Sequence, residues 1–244
     1  MNVSGNTILI TGGTAGIGQA FAEQFFKDGN TVIICGRRAD RLEKMKETHP
    51  GLITRVCDVA NEQQRTELCE WVVQNHPGLN VLINNAGMQL ASVLTRRVYL
   101  KLVREELETN LIAYIHLASL LISHLETKKD AVIINISSGL AFAPLAFMPV
   151  YCASKAAVHS YTLSLRHQLK KTSVKVYEIA PPSTDTELGY QRRADKTQSH
   201  GGAPISEFLA EAMEGLKNDI SEIAVGESKG LRAKREELFN AMNH

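Results

Sequence analysis

A tyrosine and a lysine four residues apart are side chains of this sequence that could transfer a proton. Tyr151 and Lys155 stand in the stretch Tyr-Cys-Ala-Ser-Lys, inside a segment whose apolar spacing predicts a helix. Residues four apart lie on one face of a helix, so the ammonium would lie beside the phenol. A neighbouring positive charge favours the phenolate, and a tyrosine so tuned can exchange a proton with a substrate oxygen. Such a pair also arises by chance, so its meaning depends on the rest of the chain.

Two polar turns follow predicted strands. Asn84-Asn85-Ala86-Gly87 comes after one apolar run, and Ser137-Ser138-Gly139 comes after another. The carboxyl ends of parallel strands form the edge at which α/β sheets bind ligands. Each turn by itself is equally typical of an ordinary turn, because Asn, Ser and Gly dominate turns for conformational reasons.

A glycine-rich loop lies between the first predicted strand and the first predicted helix. It reads Thr-Gly-Gly-Thr-Ala-Gly-Ile-Gly over Thr11 to Gly18, with the spacing G-x-x-x-G-x-G. Glycine lets a diphosphate approach the backbone closely, and the N–H groups at a helix start favour its negative charge. The loop therefore predicts a dinucleotide site, although a glycine-rich turn without a ligand is the alternative.

The second predicted strand ends in two arginines. Cys35-Gly36-Arg37-Arg38 carries no acidic residue until Asp40, whereas NAD-binding folds usually place a carboxylate here for the adenosine ribose. Guanidinium groups bind phosphate by bidentate, charge-assisted hydrogen bonds. The pattern favours NADP(H) over NAD(H), and the alternative is that Arg37 and Arg38 merely begin a solvated helix.

Short apolar runs alternate with helix-length segments from the start of the chain. Most of the runs are apolar throughout, which is typical of strands covered on both faces. This alternation predicts a doubly wound α/β fold with a parallel sheet and right-handed crossovers. The predicted strands are Thr7 to Ile10, Thr31 to Cys35, Leu52 to Val56, Val81 to Ile83, Ala131 to Ile136 and Val174 to Ile179.

The alternation becomes irregular after Pro181. Residues 186–204 are polar with little apolar periodicity, and a loop of this length is often a functional lid. A helix from about Ile205 to Leu216 and a short strand from Ile223 to Gly226 are expected next. We find no linker, so residues 1–244 are expected to form a single cofactor-binding and catalytic domain with a lid at 186–204.

Composition excludes several function classes. The 244 residues carry 27 Lys and Arg against 26 Asp and Glu, and this near-neutral balance weighs against a dedicated nucleic-acid or membrane-surface binder. The longest uncharged apolar stretch is far shorter than a spanning helix, and no secretory signal is visible, so a cytoplasmic location is expected. Four scattered cysteines and the histidine spacing predict free thiols and no metal site.

These motifs together resemble the short-chain dehydrogenase/reductase family in its short form. The resemblance rests on TGGTAGIG, NNAG, Asn110, Ser138 and YCASK, in that order, and it extends from Thr7 to about Gly226. It implies a Rossmann-type sheet of about seven strands, a nicotinamide dinucleotide cofactor and carbonyl/alcohol oxidoreduction.

The resemblance also implies roles for individual residues. Tyr151 would be the general acid/base, Lys155 would hold the nicotinamide ribose, Ser138 would bind the substrate oxygen, and Asn110 would support a proton-relay water. Asp58 would lie near the adenine ring, although it could instead cap the next helix. Motifs and resemblance together assign cofactor contacts to Gly12, Thr14, Ala15, Gly16, Ile17, Gly18, Arg37, Arg38, Asp58, Val59, Asn84, Asn85, Gly87, Tyr151, Lys155, Thr184 and Thr186.

One turn departs from the family pattern. Pro182 stands where the family usually has glycine, and it lacks an N–H, so the turn is stiffer. Thr184 and Thr186 still occupy the matching contact positions. The Pro-Pro turn with Asp-Thr-Glu-Leu after it resembles the reductase branch associated with D-alanyl-lipoteichoic-acid genes, a resemblance that does not establish a substrate.

The substrate wall is expected to come from the loop after the fifth strand and from the lid. Arg192 and Arg193 could meet an acidic group there, or could simply face solvent. The predicted apolar wall residues are Gly139, Leu140, Phe142, Phe147 and Leu188.

The sequence thus predicts an NADP(H)-dependent oxidoreductase acting on a small carbonyl or alcohol substrate. A non-catalytic NADP(H)-sensing protein and an epimerase or dehydratase on the same scaffold are the alternatives. The chain length and the glycine spacing argue against the epimerase, and the combined proton-transfer set argues against the sensor. The family resemblance further implies a homodimer or homotetramer.

Overall fold

Seven parallel strands form one sheet in the order β3-β2-β1-β4-β5-β6-β7. The structure is a computed structural model that describes residues 1–91, 99–188 and 201–243. The predicted doubly wound α/β, Rossmann-type fold is confirmed. The strands are β1 (Thr7–Thr11), β2 (Thr31–Gly36), β3 (Ile53–Val56), β4 (Leu79–Asn84), β5 (Val132–Ile136), β6 (Lys175–Ala180) and β7 (Glu222–Ala224).

Helices cover both faces of this sheet. They are α1 (Gly16–Lys27), α2 (Ala39–Thr48), α3 (Glu62–Asn75), α4 (Leu100–Leu107), α5 (Ala113–Leu125), α6 (Pro149–Gln168), α7 (Ile205–Lys217), α8 (Ser228–Lys234) and α9 (Phe239–Met242). A π-helical turn at Glu108–Ile112 joins α4 to α5, and single 3-10 turns occupy Gly139–Ala141 and Arg235–Leu238.

The central strands are apolar throughout because each face of the sheet has its own core. On β1, Ile8 and Ile10 pack with Phe21 of α1 and Phe208 of α7. The intervening Leu9 points to the other face, where it joins a cluster that α3, α5 and α6 also supply. Successive side chains of a strand alternate between faces, so a strand buried on both sides shows no polar alternation.

The sequence-based boundaries differ from the structure mainly at strand ends. β4 begins at Leu79 rather than at Val81, because a shift in register aligns Leu79 with Thr7 of β1. β7 ends at Ala224, before the predicted Gly226, whose φ of 53° is left-handed and incompatible with a strand. Residues 189–200 of the predicted lid, including Arg192 and Arg193, lie outside the described residues.

The strand order places a ligand edge at the carboxyl ends of β1 and β4. The chain winds outward from β1 through β2 to β3 and then returns to β4 on the other side of β1. At such a switch point the loops after the two strands diverge and leave a crevice. Across the parts of the chain that the structure describes, no helix is long and apolar enough to cross a membrane.

Candidate active site

A cleft of about 450 Å³ opens at this edge of the sheet. All of the predicted cofactor contacts except Asn84 line it, and so does Ser138. The glycine loop, the arginines after β2, the Asn-Ala-Gly turn and the Tyr151–Lys155 pair therefore share one cavity. Because these residues follow six different strands, only the parallel topology brings them together.

The glycine loop is held against the second strand. The N–H of Gly12 donates to the carbonyl of Cys35 at 2.9 Å, and α1 then begins at Gly16. The N-cap residue is Ala15, which has no side-chain acceptor, so no side-chain cap occupies the first N–H groups of α1. Uncapped N–H groups at a helix start that lines a cleft fit the diphosphate of a dinucleotide.

Gly18 packs too tightly for any larger residue, which makes Gly18→Ala a stability test. A Cβ here would overlap the Asn85 side-chain nitrogen and the Gly12 carbonyl. We expect the variant to lose about 1–3 kcal/mol of unfolding free energy, measured by urea denaturation. The matched control is Gly230→Ala in α8, where a Cβ would meet nothing within 4 Å. If both variants are equally stable, the close packing of this loop is contradicted.

The Asn-Ala-Gly turn is fastened to the end of β1 by a threonine that the sequence analysis did not single out. The Thr11 hydroxyl accepts the N–H groups of Asn85 and Ala86, both at 3.0 Å, while the Asn85 amide donates to the Thr11 carbonyl at 2.8 Å. Turn and glycine loop are thus one hydrogen-bonded unit at the mouth of the cleft.

Asn84 does not line the cleft, in contrast to its predicted cofactor role. It is fully buried in the sheet, and its amide donates to Asn135 Oδ1 at 2.9 Å. Asn135 in turn donates to Thr162 Oγ1 of α6 at 3.0 Å. Because Asn84 is the last residue of β4, its side chain points into the sheet–helix interface and ties α6 to the strands.

Tyr151 and Lys155 lie one turn apart in the first half of α6, both almost completely buried. The Lys155 Nζ donates to the carbonyl of Ile136 at the end of β5 at 2.8 Å and lies 6.0 Å from the centre of the Tyr151 ring. Burial lowers the pKa of Lys155 to about 7, and the negative charge of Glu178 partly opposes that shift. The pair therefore has the adjacency that the i, i+4 spacing predicted.

Asn110 lies in the π-helical turn and has no exposed surface. Its Oδ1 accepts the N–H of Met88 at 2.8 Å, and its Nδ2 donates to the Met88 carbonyl at 2.9 Å. The same Nδ2 lies 3.1 Å from Ser154 Oγ, which donates to the carbonyl of Tyr151. Asn110 therefore links the turn after β4 to the backbone of α6.

Ser138 follows β5 and lines the cleft, whereas most of the predicted substrate-wall residues do not belong to the lining of this cleft. The chain turns away at Gly139–Ala141, where a Cβ on Gly139 would meet Ser228 and Leu231 of α8. Phe142 packs edge-on against His159 and is 4% exposed. Of the predicted wall residues, only Leu188 belongs to the cleft lining.

The acid predicted near the adenine lines the cleft and is not the helix cap. Asp58 Oδ1 accepts the N–H of Ala60 at 3.0 Å within its own turn. The residue that caps α3 is Asn61, whose Oδ1 accepts the N–H of Gln64 at 3.0 Å. The capping alternative for Asp58 is therefore excluded, and Asp58 lines the cleft.

Arg37 and Arg38 both line the cleft and are exposed. Arg38 is also the N-cap residue of α2, so this arginine does begin a solvated helix as well as line the site. Its guanidinium lies 3.0 Å from the carboxylate of Glu187, and its other nitrogen lies 3.5 Å from the Thr14 hydroxyl. The sequence analysis missed Glu187 because 149 residues separate it from Arg38.

The stiff turn after β6 carries the two predicted threonines to the cleft. The carbonyl of Pro181 accepts the N–H of Gly139 at 2.9 Å, and Thr184 pairs with Ala203 in a single parallel bridge. Thr186 lies against Gly16, since a Cβ there would come within 3.2 Å of it. The described residues on either side of the predicted lid are therefore joined by the bridge between Thr184 and Ala203. Thr186, at the start of the lid, lies against the glycine loop.

A cluster of His159, Glu178 and Glu222 lies behind the site, within ligand distance of one another. His159 Nδ1 is 2.8 Å from Glu178 Oε2, and Arg232 Nε binds Glu222 Oε1 at 2.5 Å. The acids are thus already paired with basic side chains of the protein. All four cysteines are buried and free, as predicted.

Comparisons with known proteins agree with this geometry. The family model described as short chain dehydrogenase matches residues 6–197. The chain is 44% identical to the uncharacterized oxidoreductase DltE of Bacillus subtilis, over 100% of this chain and 98% of that protein. It is 31% identical to the NADP-dependent 3-hydroxy acid dehydrogenase YdfG of Salmonella typhi, over 84% of this chain and 86% of that one.

A solved short chain dehydrogenase/reductase from Burkholderia phymatum, in complex with NAD, superposes with a TM-score of 0.86. The superposition covers 100% of this chain and 97% of that chain at 19% identity, which supports the fold alone. The family match and the full-length similarity to DltE support more. This chain belongs to the short-chain dehydrogenase/reductase family of oxidoreductases.

Proposed function

We propose that this protein transfers hydride between NADP(H) and a small carbonyl or alcohol substrate, with Tyr151 as the general acid/base. The observation that carries the proposal is the shared cleft. A buried Tyr151–Lys155 pair and Ser138 line the same cavity as an uncapped helix start and two arginines. A cavity that combines an anion site with a proton-transfer group suits a dinucleotide-dependent reaction.

The bound nicotinamide would supply or accept the hydride, and the protein's residues would handle the proton. In the reducing direction, the Tyr151 hydroxyl protonates the alkoxide that develops on the substrate oxygen. The Lys155 ammonium favours the resulting phenolate, and Ser138 donates a hydrogen bond to the same oxygen. The Asn110 side chain acts by position, because its amide is engaged by Met88 and Ser154.

The choice of NADP(H) rests on charge at the end of β2. Arg37 and Arg38 line the cleft where the 2′-phosphate would lie, and no carboxylate precedes them on that strand end. The name of the YdfG relative states NADP dependence, whereas the B. phymatum structure contains NAD. The residues of this chain, rather than the relatives, therefore support NADP(H).

The first test is NADPH oxidation against a panel of carbonyl compounds, followed on one compound that turns over by Arg38→Ala and Arg37→Ala. We expect each variant to lower the NADPH-to-NADH ratio of kcat/KM about tenfold, since each removes a charge-assisted bond to phosphate. Arg104→Ala, on the exposed surface of α4 and outside the cleft lining, should leave the ratio unchanged. Unaltered ratios in both cleft variants would overturn the NADP(H) assignment. NADPH binding without turnover of any compound would favour the sensor alternative.

We further propose that copies of the chain associate through α5 and α6. Ala153 and Ala156 are exposed on α6, so they do not pack onto the sheet. Three larger apolar side chains are also exposed on these helices or on the turn that leads into α5: Ile112 of the π-helical turn, Ile115 of α5 and Leu163 of α6. Sedimentation at two protein concentrations measures the oligomeric state.

A cytoplasmic location agrees with four free thiols, since free cysteines suit a reducing compartment.

A further inference from the structure

A three-membered ion cluster lies at the arginine end of the cleft. Glu187 Oε2 is 3.0 Å from Arg38 NH1, and both Glu187 oxygens lie within 2.8 Å of Arg41 NH1. Arg41 was not among the predicted site residues, yet it lies one turn after Arg38 on α2 and faces the same carboxylate. One carboxylate thus engages both guanidinium groups.

Two members of the cluster, Arg38 and Glu187, line the part of the cleft to which the proposed function assigns the 2′-phosphate. Glu187 lines the cleft together with Arg37, Arg38 and Thr14, and Arg38 reaches toward the Thr14 hydroxyl on the glycine loop. Guanidinium groups recognise carboxylates and phosphates through the same bidentate geometry. A carboxylate already seated on these arginines therefore resembles the anion that they are suited to bind.

The ion pairs of this cluster can also be broken at a small cost in free energy. The side chains of Arg38, Arg41 and Glu187 are 45%, 36% and 44% exposed, so the ion pairs are solvated and individually weak. Partial burial acts in the opposite direction, but the bonds from Arg41 and Arg38 hold the pKa of Glu187 below its ordinary value. The carboxylate is therefore charged at neutral pH and would repel an arriving phosphate.

We propose that Glu187 reduces the preference for NADP(H) by competing with its 2′-phosphate for Arg38 and Arg41. Binding of NADP(H) must move Glu187 off the arginines, whereas NAD(H), which has no 2′-phosphate, leaves it in place. Glu187 thereby weakens the binding of NADP(H) but not that of NAD(H). It reduces the preference for NADP(H) that the arginines create. This inference rests on the proposed NADP(H) site.

The competition has a structural consequence for the segment that carries Glu187. Thr186 lies against Gly16 of the glycine loop, and Thr184 is bridged to Ala203. Displacing Glu187 would therefore remove its ion pairs with Arg38 and Arg41, while the contact of Thr186 with Gly16 and the bridge at Thr184 can remain. The alternative is that Glu187 only fixes the position of its own neighbouring residues. In that case its loss changes Kd for both dinucleotides equally.

Glu187→Gln tests the competition by binding, without any substrate. Titrating NADPH and NADH by fluorescence, we expect Kd for NADPH to fall about fivefold and Kd for NADH to stay within about twofold. Adenosine 2′,5′-bisphosphate against AMP in calorimetry should show the same selectivity. The gap between variant and wild type for NADPH should shrink as salt screens the charges.

The matched control is Glu43→Gln, which removes an exposed carboxylate from α2 outside the cleft lining. An equal gain in Glu43→Gln would reduce the effect to net charge and overturn the proposal, as would equal changes for both dinucleotides or weaker NADPH binding in Glu187→Gln. Arg38→Ala distinguishes failure of the proposed competition from failure of the proposed NADP(H) site. If it abolishes the NADPH preference while Glu187→Gln changes nothing, only the competition is wrong. If Arg37→Ala and Arg38→Ala both leave the preference intact, the NADP(H) site itself is wrong.

Discussion

Tyr151→Phe is expected to lower kcat for carbonyl reduction by about 10³-fold while changing Kd for NADPH by no more than about threefold. Positioned general acid/base catalysis contributes about 10²–10⁴-fold, and phenylalanine keeps the ring while removing only the hydroxyl group that carries the proton. Because Tyr151 is 4% exposed and packs with Met148 and Cys152, the ring should remain in place. Steady-state kinetics on a compound identified by the carbonyl panel, with fluorescence titration of NADPH, measures both quantities.

The control for that variant is Tyr161→Phe. Tyr161 lies on the same helix α6, partly buried on the core side and away from the cleft lining, and burial raises its pKa to about 12. Its hydroxyl is therefore not suited to proton transfer near neutral pH, and kcat should be unchanged. Turnover near the wild-type rate in Tyr151→Phe would end the proton-transfer role and leave only the binding functions of the cleft.

Lys155→Met is expected to abolish turnover and, at pH 7, to raise the free energy of unfolding by about 1–2 kcal/mol. Burial lowers the pKa of Lys155 from 10.5 to about 7, and each unit corresponds to about 1.4 kcal/mol of cost for the charged form. Methionine fills similar space without that charge. Part of the gain is lost, because the bond to the Ile136 carbonyl disappears and Glu178 loses a nearby positive charge.

The stability difference between Lys155→Met and the wild type is expected to change with pH. Between pH 7 and 10.5 the unfolded chain keeps the Lys155 proton while the folded chain releases it, so wild-type stability rises with pH in that window. Below pH 7 both states are charged and the full cost remains. The advantage of Lys155→Met should therefore shrink by up to about 1.4 kcal/mol per pH unit above pH 7 and then reverse.

Urea unfolding of both proteins at several pH values from 6 to 9.5 measures that change. Lys44→Met, on the exposed surface of α2, is the control and should show a stability difference that does not vary with pH. A difference for Lys155→Met that is equally independent of pH would contradict the burial of a charged lysine at this position. A variant that gains stability and loses activity is the expected trade-off here, because the buried charge of Lys155 would serve catalysis at a cost in stability.

Local features of the chain were sufficient for much of the site. The face shared by Tyr151 and Lys155 follows from helical periodicity alone, and the alternation of apolar runs predicts the parallel sheet because strands buried on both faces carry few polar residues. Ser138 could also be placed at the sheet edge, since it is the second residue after β5. These inferences depend on spacing within a few residues.

Inferences that required a side chain's direction were less successful. Phe142 was expected in the substrate wall, yet after the 3-10 turn at Gly139–Ala141 it packs against His159, while Leu140 packs against the cluster of Met148, Tyr151 and Cys152. Asn84 was expected on the cofactor, yet the last residue of β4 points into the layer beneath α6. In both cases one backbone turn, which has no distinctive residue pattern, decides which surface the side chain meets.

The sequence by itself determined the fold class, the glycine loop and the proton-transfer pair, because each depends on periodicity or on backbone freedom that neighbouring residues specify. Only the tertiary structure decided that Glu187 meets Arg38 and Arg41, that Asn110 holds Met88, and that Glu178 lies near the buried ammonium of Lys155. Those pairings join residues far apart in the chain. Charge interactions depend on distance in space and on burial, and neither quantity exists before the strands have been brought side by side.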